Sequence, residues 1–223
     1  MDFQKISEGD DIMKIPAEKT AIVLIEPQND FLTEGGTMYA FIKEQLAERN
    51  VIANLQELLN HARGKVAKIF YVPFHAFEEG FPELKKGGPA YEGLRGIEID
   101  MKADWGTGAW LKGTPGPEII PQLTPQPGDI VIEGKKTLDA FHSTALDYLL
   151  RANEIEYVAF TGFHTNWCVE SSARSAYDKG YRVIVVGDCT ATDTQEEQDY
   201  AETKIFRKIG KVMDHKEFLA SLE

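Results

Sequence analysis

Apolar positions along this chain follow two rhythms. Short runs with no polar alternation, the first being Thr20-Ala-Ile-Val-Leu-Ile-Glu26, alternate with longer stretches whose apolar residues recur every three or four positions. A run apolar on both sides predicts a strand buried on both faces, as in a parallel sheet. The longer period predicts the crossover helices that such a sheet requires. Strands are therefore predicted at Thr20–Glu26, Lys68–Pro73, Asp129–Glu133, Tyr157–Gly162 and Arg182–Gly187, with a short last one at Lys211–Asp214. Helices are predicted near Val51–Ala62, near Ala145–Leu150, at Val169–Lys179 and from Thr194 to about Lys208, with a final one at the C-terminus. Gly180 is placed to end the third helix, and Thr194-Gln-Glu-Glu197 has the form of a capping box. From Phe74 to Gly128 the chain is irregular and rich in Gly, Pro and aromatics. A loop-rich stretch of that size usually forms a lid or pocket wall. The expected fold is a three-layer α/β/α domain, doubly wound around about six parallel strands. It is expected to span residues 1–223, with 1–18 as an N-terminal extension.

A length of 223 residues fits one such domain, and 43% hydrophobic residues supply its core. Lys and Arg number 24 against 36 Asp and Glu, a net charge of −12 with no basic cluster. That balance argues against nucleic acid as a partner, because phosphate-backbone affinity rests on Lys and Arg. No apolar run reaches the ~18–20 residues of a membrane span, and the polar N-terminus lacks the apolar stretch of a signal peptide. Two cysteines are too few for a disulfide scaffold. The expectation is a cytoplasmic protein with reduced thiols and no membrane partner.

In open α/β sheets the ligand site lies beyond the carboxyl ends of the strands. Glu26, Gln28, Asn29 and Asp30 follow the first strand, Lys135 and Lys136 the third, and His164, Thr165, Asn166 and Cys168 the fourth. One rim thus gathers an acid, a lysine and a cysteine, the material of an activated thiol. A helical pattern begins beside Cys168, where a helix dipole and free N–H groups would favour the thiolate and could hold an oxyanion. A buried structural cysteine is the competing reading, and it fits Cys189 better, since no helix start follows that residue. The histidines, at 61, 75, 142, 164 and 215, lack metal-ligand spacing, so neither metal nor cofactor is expected. Gly113-Thr-Pro-Gly-Pro117 is a turn cluster, not a phosphate loop. Phe31, Trp105, Trp110 and Trp167 either wall an apolar pocket or pack under the long loop. Asn166 either orients a substrate amide or caps the helix.

Three ordered motifs resemble the isochorismatase-like cysteine hydrolases. The first is Ile22-Val-Leu-Ile-Glu-Pro-Gln-Asn-Asp-Phe31 with Gly35-Gly36. The second is Gly134-Lys135-Lys136-Thr-Leu-Asp-Ala-Phe141 with Thr144-Ala-Leu-Asp147. The third, Thr161-Gly-Phe-His-Thr-Asn-Trp-Cys-Val-Glu-Ser-Ser-Ala-Arg174, matches most closely. The resemblance runs from about Thr20 to the C-terminus, and its motifs are nearest to streptothricin-hydrolase-like amidohydrolases. It implies a triad of Glu26, Lys135 and Cys168, in which Lys135 is preferred to Lys136 for its offset from Phe141. It also implies an oxyanion hole from the backbone N–H groups of His164 and Cys168, and a cis peptide at Phe163–His164. Phe31, His75, Trp110, Phe141 and Trp167 are the expected pocket residues, and a homodimer or homotetramer the expected assembly.

Two departures stand out. The family's usual acid is Asp, and this chain has Glu26, with Asp30 as the competing acid. The metal-binding members carry an Asp-x-His motif after the second strand, where this chain has Val72-Pro-Phe-His-Ala-Phe77. The implied activity is metal-independent hydrolysis of a C–N bond in an amide-like small molecule, through a thioester. Two rivals remain, a degenerate scaffold that binds without turnover, and a redox protein pairing Cys168 with Cys189.

Overall fold

The first predicted strand is the centre of the molecule. In a computed structural model that describes residues 14–93 and 110–223, all six residues of β1 (Thr20–Ile25) are buried. It pairs in parallel with β2 (Lys68–Val72) on one side and β4 (Tyr157–Phe163) on the other, so Ile22 lies level with Ile69 and Ala159. With β3 (Ile130–Val131), β5 (Arg182–Ala191) and β6 (Gly210–Met213), the sheet runs β3-β2-β1-β4-β5-β6, parallel throughout. Strand order reverses between β1 and β4, which places a crevice at their carboxyl ends.

Alternate residues of each strand feed two cores. Ile22, Leu24, Ile69, Tyr71 and Ile184 face the helices Tyr39–Glu48, Val51–Ala62 and His215–Ser221 through Ile42, Leu55, Leu58 and Phe218. Val23, Ile25, Phe70, Phe160 and Val185 face the helices Leu146–Ala152 and Glu170–Asp178 through Leu146, Leu150, Ala173 and Ala176. This is the expected three-layer, doubly wound α/β fold. No helix among the described residues is long and apolar enough to cross a membrane.

Elsewhere the chain differs from the pattern. The helix Tyr39–Glu48 was not predicted, because it buries only Ile42, Gln45 and Leu46 and starts without a side-chain cap. Thr194 does cap its helix, accepting from the Glu197 N–H at 3.2 Å. That helix contains a π turn over Ala201–Phe206 before it ends near Ile209. The segment expected as an extension through residue 18 is bound to the domain from Ile15 onward. Ile15 is fully buried, donates to the Ser221 carbonyl at 2.8 Å and accepts from the Glu223 N–H at 3.0 Å. At the switch point Gly162 has φ +109°, and a Cβ there would lie 2.0 Å from the Ile25 carbonyl oxygen. Only glycine allows β4 to run so close to β1.

Candidate active site

The carboxyl ends of β1, β3 and β4 each deliver one reactive group to the crevice. Glu26, the residue after β1, has a left-handed φ of 53° and donates its N–H to the Val72 carbonyl at 3.1 Å. Lys135 follows β3, and its carbonyl accepts the His75 N–H at 2.6 Å. Cys168 lies in a π turn, Thr165–Val169, that leads from the cis peptide Phe163–His164 into the helix Glu170–Asp178. All three side chains are buried, and they converge on a single oxygen. Glu26 Oε1 accepts from Lys135 Nζ, and from Cys168 Sγ at 3.3 Å, while Nζ and Sγ stand 3.8 Å apart. The longer Glu side chain therefore reaches both partners.

The electrostatics reverse one expectation. Burial pushes the Cys168 thiol well above the ordinary cysteine value, and the Glu26 carboxylate pushes further. Lys135 opposes both without offsetting them. A helix terminus contributes about 0.3–2 kcal/mol, whereas burying an unpaired charge costs several kcal/mol, so burial wins. For Lys135, burial acts downward. The attraction of Glu26 and Cys168, with their hydrogen bonds, outweighs it and raises the amine overall. The amine is thus held as ammonium and the thiol is raised, with Sγ aimed at the Glu26 oxygen that would take its proton.

Beside these groups opens a cavity of about 390 Å³, walled by Phe31, Phe74, Phe77, Trp110, Leu138 and Trp167 and reaching Glu26, His164 and Cys168. Of the five expected pocket residues, Phe31, Trp110 and Trp167 stand in this wall. His75 and Phe141 do not. His75 serves through its backbone bond to Lys135, and Phe141 stacks on Tyr181 in the core behind the sheet, at 6.1 Å between centroids. Trp105 lies outside the described residues. Phe74 and Phe77 were missed, although they follow the carboxyl end of β2, where the rim rule would have found them. Lys136 lies over the Phe77 ring at 4.0 Å and pairs with Glu83, so it is an outer wall residue and Lys135 the inner lysine.

Neighbouring polar groups hold this frame. Asp30, the competing acid, accepts from Thr37 Oγ1 at 3.0 Å and from the Trp110 N–H at 3.1 Å. Burial raises its carboxyl, against those hydrogen bonds. It pins the cavity wall rather than the thiol. Gln28 pins Phe74 at both backbone atoms, its Oε1 accepting from Phe74 N at 2.7 Å and its Nε2 donating to Phe74 O at 2.9 Å. Asn166 neither caps the helix nor lines the cavity, and instead accepts from Thr192 Oγ1 at 2.5 Å. Asp139 and Asp147 of the second motif accept from Ser175 and Tyr181 hydroxyls, which makes them clamps on the adjoining helix and strand.

The second thiol lies elsewhere. Cys189 packs in the core on the opposite face of the sheet from Cys168, which argues against an internal disulfide. It stands beside Asp188 and His215, three groups with metal-ligating atoms. Both Asp188 oxygens are already bonded to His215, one to its N–H at 2.9 Å and one to Nδ1 at 2.5 Å, which reads as a fastening of the last helix.

The family model described as the Isochorismatase domain matches residues 20–217. The ureidoacrylate amidohydrolase RutB of Rhizobium rhizogenes is 33% identical over 181 residues, covering 78% of this chain and 71% of the relative. The same enzyme of Agrobacterium fabrum is also 33% identical over 181 residues, covering 78% and 76%. Among solved structures, a cysteine hydrolase from Pseudomonas syringae superposes with a TM-score of 0.76 at 22% identity, covering 93% of each chain, and so shares the fold. The N-carbamoylsarcosine amidase of Thermoplasma acidophilum superposes with a TM-score of 0.65 at 25% identity, covering 88% of this chain and 96% of that one. The chain belongs to the isochorismatase-like cysteine hydrolase family.

Proposed function

We propose that this protein is a metal-independent cysteine hydrolase that cleaves a C–N bond in an amide-like small molecule. The observation that carries this reading is one carboxylate oxygen shared between a buried ammonium and a buried thiol, at the edge of an apolar cavity. The relatives named for ureidoacrylate and N-carbamoylsarcosine support the bond class.

Glu26 takes the thiol proton as Sγ bonds to the substrate carbonyl carbon, so no free thiolate need accumulate despite the raised thiol. The carbonyl oxygen gathers negative charge and is held by the backbone N–H groups of His164 and Cys168. Lys135, paired with Glu26, balances charge as the proton moves. Protonated Glu26 then gives its proton to the departing nitrogen, and the C–N bond breaks to leave an S-acyl thioester. A water, deprotonated by Glu26, attacks the thioester and releases the acid and the thiol.

A screen of amides, lactams, ureides and carbamoyl compounds for ammonia or amine release tests this reading. Release by the wild type, lost in Cys168→Ala, is the expected result. Failure of every class, with the native fold intact, overturns it.

A further inference from the structure

Three buried polar atoms that find no hydrogen-bond partner among the described residues belong to residues around this one cavity. They are Glu26 Oε2, Trp110 Nε1 and His164 Nε2. The first is the free half of the shared carboxylate. His164 is the least expected of the three, because its side chain is only 2% exposed and yet half committed. Its Nδ1 meets Asp193 Oδ1 at 3.0 Å. The ring lies edge-on to Phe31, at 5.9 Å between centroids, and stacked on Trp167 at 5.7 Å, and both of these are cavity walls. A carboxylate can only accept, so Nδ1 carries the hydrogen, and in a neutral ring Nε2 is then a bare acceptor.

We propose that the His164 side chain, oriented by Asp193, is a positioning residue whose Nε2 accepts a hydrogen bond from a substrate N–H in the apolar cavity. This rests on the hydrolase reading for its catalytic consequence but not for its binding consequence. An acceptor in a water-poor, aromatic-walled site discriminates strongly, because a ligand without the N–H leaves it unmet. The ligand class that fits is an amide or ureide with at least one N–H on an uncharged apolar body. His164 and Trp167 both line that cavity, and Trp167 is 45% exposed. The role belongs to the side chain, and is separate from the oxyanion role of the same residue's backbone N–H.

Binding and turnover are measured with two probes, phenylacetamide and N,N-dimethylphenylacetamide, which differ in the N–H groups. In a Cys168→Ala background the primary amide should bind roughly tenfold tighter, about the effect of one buried hydrogen bond left unmade. Adding His164→Leu should erase that preference, His164→Gln should restore most of it through its amide oxygen, and Asp193→Ala should give an intermediate value. With Cys168 intact, the loss in His164→Leu should fall mainly on KM, while thiol alkylation at Cys168 keeps its wild-type rate. The proposal is overturned by absent binding, by no N–H preference, by tighter binding of the dimethyl amide, or by a preference that survives His164→Leu. Should the preference follow His164 while no amide turns over, the positioning role stands and the hydrolase reading falls. If His164→Leu does not fold, the Gln and Asp193→Ala variants still decide.

Discussion

Cys168 and Cys189 are both buried, and both thiols are pushed well above the ordinary cysteine value by burial first and a neighbouring carboxylate second. A base, a cation and a cavity separate them. The carboxylate beside Cys168 shares one oxygen with Lys135, keeps its other oxygen unpartnered, and borders an apolar cavity of about 390 Å³. The Asp188 carboxylate beside Cys189 also takes a hydrogen bond from that thiol, but both of its oxygens are already bonded to His215, no lysine stands with it among the groups acting on the thiol, and the other charges there, from Asp214 and Glu57, are acidic. A raised thiol therefore marks neither a reactive nor an inert cysteine by itself. What matters is whether a free base stands ready to take the proton when a carbonyl arrives.

Alanine at each cysteine in turn separates the two thiols most. Cys168→Ala should abolish amide hydrolysis in a steady-state assay, whereas Cys189→Ala should leave it within a factor of about two and cost about 1 kcal/mol of stability by denaturant titration. Equal losses in the two variants would mean that the cysteines differ only in packing.

Next in size is Glu26→Gln, which separates basicity from charge. Without its base the acylation step should fall by roughly 10²–10⁴-fold in single-turnover kinetics. Glu26 raises the thiol and Lys135 lowers it, so losing the carboxylate should bring the thiol down and speed iodoacetamide alkylation near neutral pH. The two rates moving in opposite directions is the signature. Glu26→Asp should lie between the wild type and Glu26→Gln in acylation. Asp30→Asn should leave alkylation of Cys168 unchanged, because Asp30 holds Thr37 and Trp110.

The two reactions of Cys168 should also differ in their dependence on pH. In the wild type, alkylation of both thiols should keep rising above pH ~8.5, the ordinary cysteine range, because both are raised. Amide acylation should already be substantial near neutral pH, since the thiol leaves its proton on Glu26 rather than in water. Acylation that tracks alkylation across the whole range would point to attack by a preformed thiolate. The smallest effect expected is none at all. Exhaustive chelation should leave hydrolysis unchanged, checked by activity before and after dialysis against chelator.

Much of this was legible because parallel-sheet proteins put their chemistry at strand ends. The short apolar runs located all six strands, and the residues after β1, β3 and β4 proved to meet. The sign of the Cys168 shift was not legible. Local sequence shows a helix start, but burial and the carboxylate that outweigh it come from chain segments 142 residues apart. Phe141 was misplaced for a related reason: an aromatic six residues after Lys135 does not reveal which face of the sheet receives it. The helix Tyr39–Glu48 was missed because two apolar side chains make too thin a stripe. Nothing local announced that Gln28 and Asp30 would pin Phe74 and Trp110, since both contacts cross long sequence separations.

Trapping the covalent intermediate tests directly whether Cys168 is the nucleophile. An amide found to be turned over is mixed with enzyme in a rapid acid quench, and the protein is digested and mapped by mass spectrometry. An acyl adduct is expected on the peptide containing Cys168, with its mass gain equal to the acyl group less one hydrogen. That adduct should form slowly in Glu26→Gln and at the wild-type rate in Cys189→Ala. Product formation with no adduct at any quench time, or an adduct mapped to Cys189, would contradict that role for Cys168.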